Sequence, residues 1–182
     1  EGLLIAPATV DLSSADIEMM ASEKRSYLLY DALRQPKIDA YDLDFVFIDC
    51  PPALSLLTVN AMVASHSVLI PLQREFCALE VLTQLLRSII EVRQSANPDL
   101  RIEGVLRTMF DVRNNVSQQV EADARDTLGE LVFKTVIPRN VRVSEAPSYS
   151  LPVVSYDPES KGAHAYRALA QEMVERMQDT TL

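Results

Sequence analysis

Short apolar runs closed by proline or turn residues alternate along this chain with longer segments in which apolar positions recur every three or four residues. Runs of the first kind read as strands buried on both faces, and segments of the second kind as amphipathic helices. The predicted strands are Leu3–Ala6, closed by Pro7; Phe45–Ile48, closed by Asp49; Ser67–Leu72, interrupted at Pro71; Ile102–Phe110; and Leu131–Ile137, closed by Pro138. The predicted helices begin with one capped by Asp11 or Ser13 and running through Met20, followed by Glu23–Gln35, ending before Pro36, and Leu54–Ser65. Ala78–Ser95 has the clearest apolar stripe, with Leu79, Leu82, Leu85, Leu86, Ile89, Ile90 and Val92 expected inside. Val116–Leu128, stopped by Gly129, and Lys161–Met177 complete the set, while Arg139–Pro158 reads as loop. Strands and helices that alternate in this way predict one α/β domain over residues 1–182. Its sheet is expected to be mostly parallel and doubly wound, with helices on both faces.

Phe45-Val46-Phe47-Ile48-Asp49-Cys50-Pro51-Pro52 is the most informative stretch. A buried parallel strand would deliver the Asp49 carboxylate to its carboxyl end, the edge where open α/β sheets bind ligands. An aspartate there can hold Mg²⁺ directly or through water. Pro51 and Pro52 stop both helix and ladder hydrogen bonding, so the chain must leave the sheet stiffly. A plainer reading makes the same residues a strand end and a rigid turn.

Composition narrows the class. The 182 residues suffice for one domain with a sizeable core, and a hydrophobic content of 48% with 24% charged residues is ordinary for a globular protein. The net charge of −9 argues against a broad electrostatic grip on nucleic acid, so any DNA contact would need a local basic patch. No uninterrupted apolar run is long enough to span a bilayer. Cys50 and Cys77 are isolated in apolar surroundings and are expected to be buried thiols; with His66 and His164 far apart, zinc is not supported. The chain opens inside an apolar run without a methionine, which reads as the interior of a longer protein.

An ordered series of motifs then carries a resemblance. Asp49-Cys50-Pro51-Pro52 is followed by Leu56-Leu57-Thr58-Val59-Asn60-Ala61, then by Leu69-Ile70-Pro71-Leu72-Gln73 and Ile102-Glu103-Gly104-Val105-Leu106. Thr108-Met109-Phe110-Asp111, Val136-Ile137-Pro138-Arg139-Asn140, Ser144-Glu145-Ala146-Pro147-Ser148 and Tyr156-Asp157-Pro158-Glu159-Ser160-Lys161-Gly162 continue it in order. This series resembles the ParA/Soj chromosome-partitioning ATPases, deviant-Walker P-loop relatives of MinD, over nearly the whole chain. The resemblance implies an ATP- and Mg²⁺-binding ATPase that forms a homodimer with ATP. That dimer would bind DNA nonspecifically, be stimulated by a ParB-type partner, and work in the cytoplasm on the nucleoid, without a membrane. Residue by residue, it implies that Asp49 is the catalytic Walker-B aspartate and orders the metal, and that Pro51 and Pro52 lie in switch II. It further implies that Thr108, Met109, Pro138, Arg139 and Asn140 line the nucleotide, and that Arg113 and Arg142 meet DNA phosphates.

Other readings bound this one. Arginine's planar fork suits phosphate, but on the residues alone each arginine is a solvated charge or a partner of Glu145. Gly2, Gly104, Gly129 and Gly162 are isolated, so these residues include no glycine-rich phosphate loop. The chain is therefore expected to be roughly the C-terminal two-thirds of a complete family member, unable to hydrolyse ATP by itself. A non-catalytic binding module of the same fold is the alternative. A MinD-like membrane cycle would need a basic amphipathic tail, and Gln171–Leu182 sets Glu172, Glu175 and Asp179 against Arg176. Lys161-Gly162 reads as a turn. Two departures from the family pattern stand out: Arg107 at a usually aliphatic position, and Ser150-Leu151 where a glycine and a basic residue are common.

Overall fold

A computed structural model describes residues 2–19, 21–51, 55–73, 78–110 and 129–179. The chain divides into two compact units, Glu1–Val68 with Thr83–Arg101, and Leu69–Leu82 with Ile102–Leu182.

In the first unit a 3-10 turn, Val10–Ser13, leads into α1 (Ala15–Met19), followed by α2 (Leu28–Leu33), α3 (Pro36–Asp39) and α4 (Leu56–Ala64). The helix expected over Glu23–Gln35 is shorter than its apolar spacing suggested. Pro36 does not merely end it but opens a new one, because a proline at the first helical position gives up an N–H that has no partner there anyway. Ser55 caps α4, its Oγ accepting from Leu57 N at 3.2 Å. Buried Asn60 ties the unit together. Its amide donates to Arg25 O at 2.7 Å and Leu56 O at 3.0 Å, and its Oδ1 accepts from Leu29 N at 3.3 Å. Asn97 closes the other end of α4, donating to Met62 O, Val63 O and Ser65 O, carbonyls that the ending helix leaves unbonded. The expected turn at Asn97-Pro98-Asp99 thus doubles as a helix cap.

The second unit holds a three-stranded sheet in the order β1–β2–β3, where β1 is Ser67–Gln73, β2 Arg101–Phe110 and β3 Val132–Pro138. Ser67, Val68 and Arg101, the first residues of β1 and β2, belong to the first unit. The pair β2–β3 is parallel, with Val105 opposite Val132, Arg107 opposite Val136 and Phe110 opposite Pro138. Register shifts separate those pairs. Between β1 and β2 runs α5 (Ala78–Ser95), as its stripe predicted; Leu82, Ile89 and Val92 are buried, but Ile90, expected inside, is 50% exposed because it lies at the margin of the stripe. After β3 come α6 (Val141–Glu145), a 3-10 turn Ala146–Tyr149, α7 (Val153–Tyr156) and α8 (Lys161–Asp179). The stretch expected to be loop is thus short helical turns. The helix expected over Val116–Leu128 lies outside the described residues.

Leu106, Phe133, Ile137 and Leu169 form the core of this unit, with Leu69, Ala165 and Met173 packed around them. Gly104 makes room for it: a Cβ there would stand 2.5 Å from the Phe133 ring and 2.7 Å from Leu131 O. Helix α8 covers β3, the sheet's outer strand, and locks onto its backbone. The two oxygens of Glu172 accept from Lys134 N and Thr135 N, each at 2.8 Å. Arg176 bridges Glu172 and Val132 O and lies over the Phe133 ring at 4.0 Å.

Two predicted strands are not in this sheet. Leu3–Ala6 and Phe45–Ile48 carry no regular secondary structure, lie outside the ladder and are largely exposed, with Phe45 at 44%, Val46 at 52% and Phe47 at 73%. The expectation of a fully buried parallel strand before Asp49 is therefore corrected. A run of apolar residues records a fitness for burial, but a strand exists only where a neighbour supplies partners for its N–H and C=O groups. Phe45 and Phe47 keep the strand's two-residue alternation, their rings stacking on one side at 6.0 Å.

Candidate functional site

The carboxyl ends of β2 and β3 bring together two segments far apart in sequence. Thr108 and Met109 lie near the end of β2, and Pro138 ends β3, followed by Arg139 and Asn140. Arg139 N donates to Phe110 O at 2.9 Å, continuing the parallel ladder one step past the strand ends. Five of the predicted nucleotide-site residues thus share one edge, the edge at which parallel sheets bind ligands. Met109 has φ of 56° and a side chain 43% exposed. A left-handed backbone at an unbranched but non-glycine residue costs energy and occurs where a structure holds it in place. Here it falls within the register shift between Arg107 and Phe110. Asn140 caps α6 through Oδ1, which accepts from Arg142 N at 2.8 Å. Its amide nitrogen can still donate to a ligand.

Below that cap, α6 packs on the start of α8. A Cβ at Gly162 would come within 2.4 Å of Val143 Cγ2 and 3.5 Å of Asn140 Cγ, so only glycine permits this approach. Lys161-Gly162, read as a turn, is the first turn of α8, which begins at Lys161 as expected. Arg142 is exposed but engaged, with Nη1 at 3.0 Å from Glu145 Oε2 and Nε at 3.2 Å from Asp157 Oδ2. The hydrogen bond it donates to Glu145 and the charges of Glu145 and Asp157 hold its guanidinium above its ordinary pKa. Tyr156 OH lies 3.5 Å from the same Glu145 oxygen, and its ring stacks on Tyr149 at 4.8 Å. The pairing of an arginine with Glu145, raised as the plain alternative for these cations, is what the structure contains. Arg113 lies outside the described residues.

Asp49 and Pro51 belong to the first unit, where both are exposed; Pro52 lies outside the described residues. Cys50 is exposed rather than buried, because the segment that carries it is not sandwiched in the sheet. Partial enclosure of its thiol and then the adjacent Asp49 carboxylate push its pKa up, so it is not an activated nucleophile. Cys77 lies outside the described residues.

Sequence reasoning missed two groups. Asp157 was noted only within a motif, and its approach to Arg142 depends on how α6 and α7 fold together. Asn60 had a visible signal: an amide in the middle of an apolar helix must find partners when buried. Among the described residues, no cluster of histidine, cysteine or carboxylate groups could hold a metal by itself, and no helix is long and apolar enough to cross a membrane.

Comparison with known proteins gives these features a class. A family model described as an AAA domain matches residues 1–102. Cobyrinic acid a,c-diamide synthase from Mycobacterium smegmatis, solved with bound ADP and magnesium, superposes with a TM-score of 0.77 at 38% identity. The match covers 94% of this chain and 62% of that one. The fold is thus that of α/β P-loop ATPases, a parallel sheet flanked by helices.

The chromosome partitioning protein ParA of Caulobacter vibrioides is 51% identical over 178 residues, covering 98% of this chain and 66% of that protein. The sporulation initiation inhibitor protein Soj of Bacillus subtilis is 48% identical over 173 residues, covering 95% of this chain and 67% of that protein. The chain belongs to the ParA/Soj chromosome-partitioning family, and it spans about two-thirds of the length of these relatives.

Proposed function

We propose that the protein is a ParA-type partition ATPase. In this reading it binds ATP and Mg²⁺, dimerises, binds DNA nonspecifically on the nucleoid, and is stimulated by a ParB-type partner. The observation that carries the reading is 51% identity to a chromosome-partitioning ParA along 98% of the chain. The residues present suit the ligands. Mg²⁺ takes oxygen ligands and keeps several waters, so a single exposed carboxylate such as Asp49 is an adequate contribution from this part of the chain. Beside it in function, the edge at Met109 and Pro138 offers apolar surface and the Asn140 amide a donor, a combination that suits a purine base.

Bound ATP–Mg²⁺ supplies an electrophilic phosphoryl group, and the protein's part in such chemistry is positioning and charge stabilisation. Asp49 would fix the metal, Pro51 and Pro52 would stiffen the segment that carries it, and Thr108, Met109, Pro138, Arg139 and Asn140 would seat the base. These 182 residues contain no glycine-rich loop, so we assign turnover to a polypeptide that also carries one.

Mg²⁺-dependent phosphate release by the full-length protein tests the reading. Asp49→Ala is expected to abolish it while leaving the thermal melt unchanged, because the side chain is exposed. Turnover equal to that of the parent would remove Asp49 from the metal site.

A further inference from the structure

Arg142 is the described cation assigned to DNA phosphate, and two of its three nitrogens already face carboxylates. A guanidinium grips phosphate bidentately along one of two edges, Nε with Nη2 or Nη1 with Nη2. Glu145 accepts a hydrogen bond from Nη1, and Asp157 stands 3.2 Å from Nε as an ion pair, so each edge already has a carboxylate at one of its members. The acceptors are themselves held in place. Glu145 is three residues along the same short helix and also lies 3.5 Å from Tyr156 OH. Asp157 is anchored at the end of α7, its N–H bonded to Val153 O and its carbonyl accepting from Ser160 N and Oγ. One positive charge thus faces two negative ones, and an approaching phosphate meets a net charge of −1 from this trio.

We propose that Glu145 and Asp157 are an intramolecular competitor for phosphate at Arg142, so that DNA engages this residue only when one of the two ion pairs opens. The proposal rests on the reading of Arg142 as a DNA contact. Both pairs are solvent-exposed, with Arg142 53% and Asp157 33% accessible at the side chain, so the competition is modest and reversible. Its effect is to weaken DNA binding and to let small changes around α6 and α7 adjust it. A protein with a net charge of −9 then gains a graded phosphate contact rather than a permanent one.

The test is fluorescence anisotropy of a labelled duplex of arbitrary sequence with full-length protein, ATP and Mg²⁺, across a KCl series. Asp157→Asn and Glu145→Gln are each expected to tighten binding about two- to fivefold at low salt. The slope of log K against log salt should steepen by up to about one unit, as a further phosphate is contacted. Arg142→Gln should weaken binding and flatten the slope by about one unit. In the Arg142→Gln background, Asp157→Asn should have no further effect, which separates release of Arg142 from a general change in charge. Tightening that survives in that background, or carboxylate variants that bind no better than the parent, would overturn the competitor. An Arg142→Gln variant that binds like the parent would overturn the DNA assignment itself, and the proposal with it. Having two separate carboxylate variants guards against one of them disturbing α6.

Discussion

Replacing Glu172 by glutamine changes one oxygen for an NH2 group at the point where α8 is fastened to the sheet. In the native protein both carboxylate oxygens accept from consecutive backbone N–H groups, Lys134 and Thr135, each at 2.8 Å, and Arg176 approaches at 3.0 Å. The side chain is only 12% exposed, so water replaces these partners poorly. In Glu172→Gln one N–H would face a donor instead of an acceptor, and the remaining bond would lose its charge. A hydrogen bond to a charged group contributes about 1.5–3 kcal/mol, and an unmatched donor costs a similar amount. The expected loss is about 2–3 kcal/mol, taken from a total that for such a domain is about 5–15 kcal/mol.

The pH dependence gives a second handle on the same residue. Burial by itself would raise the Glu172 pKa. Hydrogen bonds from the Thr135 side chain, the Thr135 and Lys134 backbone and Arg176 outweigh it and bring the pKa below the ordinary value of 4.5. A depressed folded-state pKa contributes stability that is present above the unfolded value and lost as pH falls through the folded one. The difference between parent and Glu172→Gln in urea denaturation should therefore be full at pH 7 and shrink as pH drops below about 4.5. A difference under about 0.5 kcal/mol at pH 7, or one that does not change on acidification, would refute the account of the clamp.

Two further substitutions test the packing. Gly104→Ala places a Cβ within 2.5 Å of the Phe133 ring and 2.7 Å of Leu131 O, one of them backbone, and is expected to cost about 1–3 kcal/mol in urea denaturation. Ser150→Gly should instead stabilise, by about 0.5–1 kcal/mol. Ser150 holds φ of 55° after the 3-10 turn, where glycine avoids the Cβ clash, and a lowered midpoint would show that its hydroxyl matters more than its backbone.

Much of the second unit was legible in advance because its signals are local. The apolar runs that became β1, β2 and β3, and the helical spacing of α5 and α8, depend only on residue type and period, and the structure reproduces each within a few residues. The nucleotide-site residues were named from a resemblance of motifs, and the parallel pairing of β2 with β3 then put Thr108–Met109 beside Pro138–Asn140. The expectation that glycine would suit position 150, drawn from the family resemblance, has a physical reason only in the left-handed backbone found there. Arg139–Pro158 has no period in its sequence that tells it from loop, because its helices are four or five residues long, too short to show one.

Residue type and order alone determined that this chain is α/β, where its long helices run, and which family it resembles, since these follow from local hydrophobic period and from motif sequence. Tertiary structure decided the rest. It left Phe45–Phe47 without regular structure and exposed, because an apolar run becomes a strand only when other segments bond to its edges. It also brought Asp157 to Arg142: the Glu145 pair follows from i,i+3 spacing on one helix, but an exposed cation's more distant partner depends on how neighbouring turns fold to within about 4 Å.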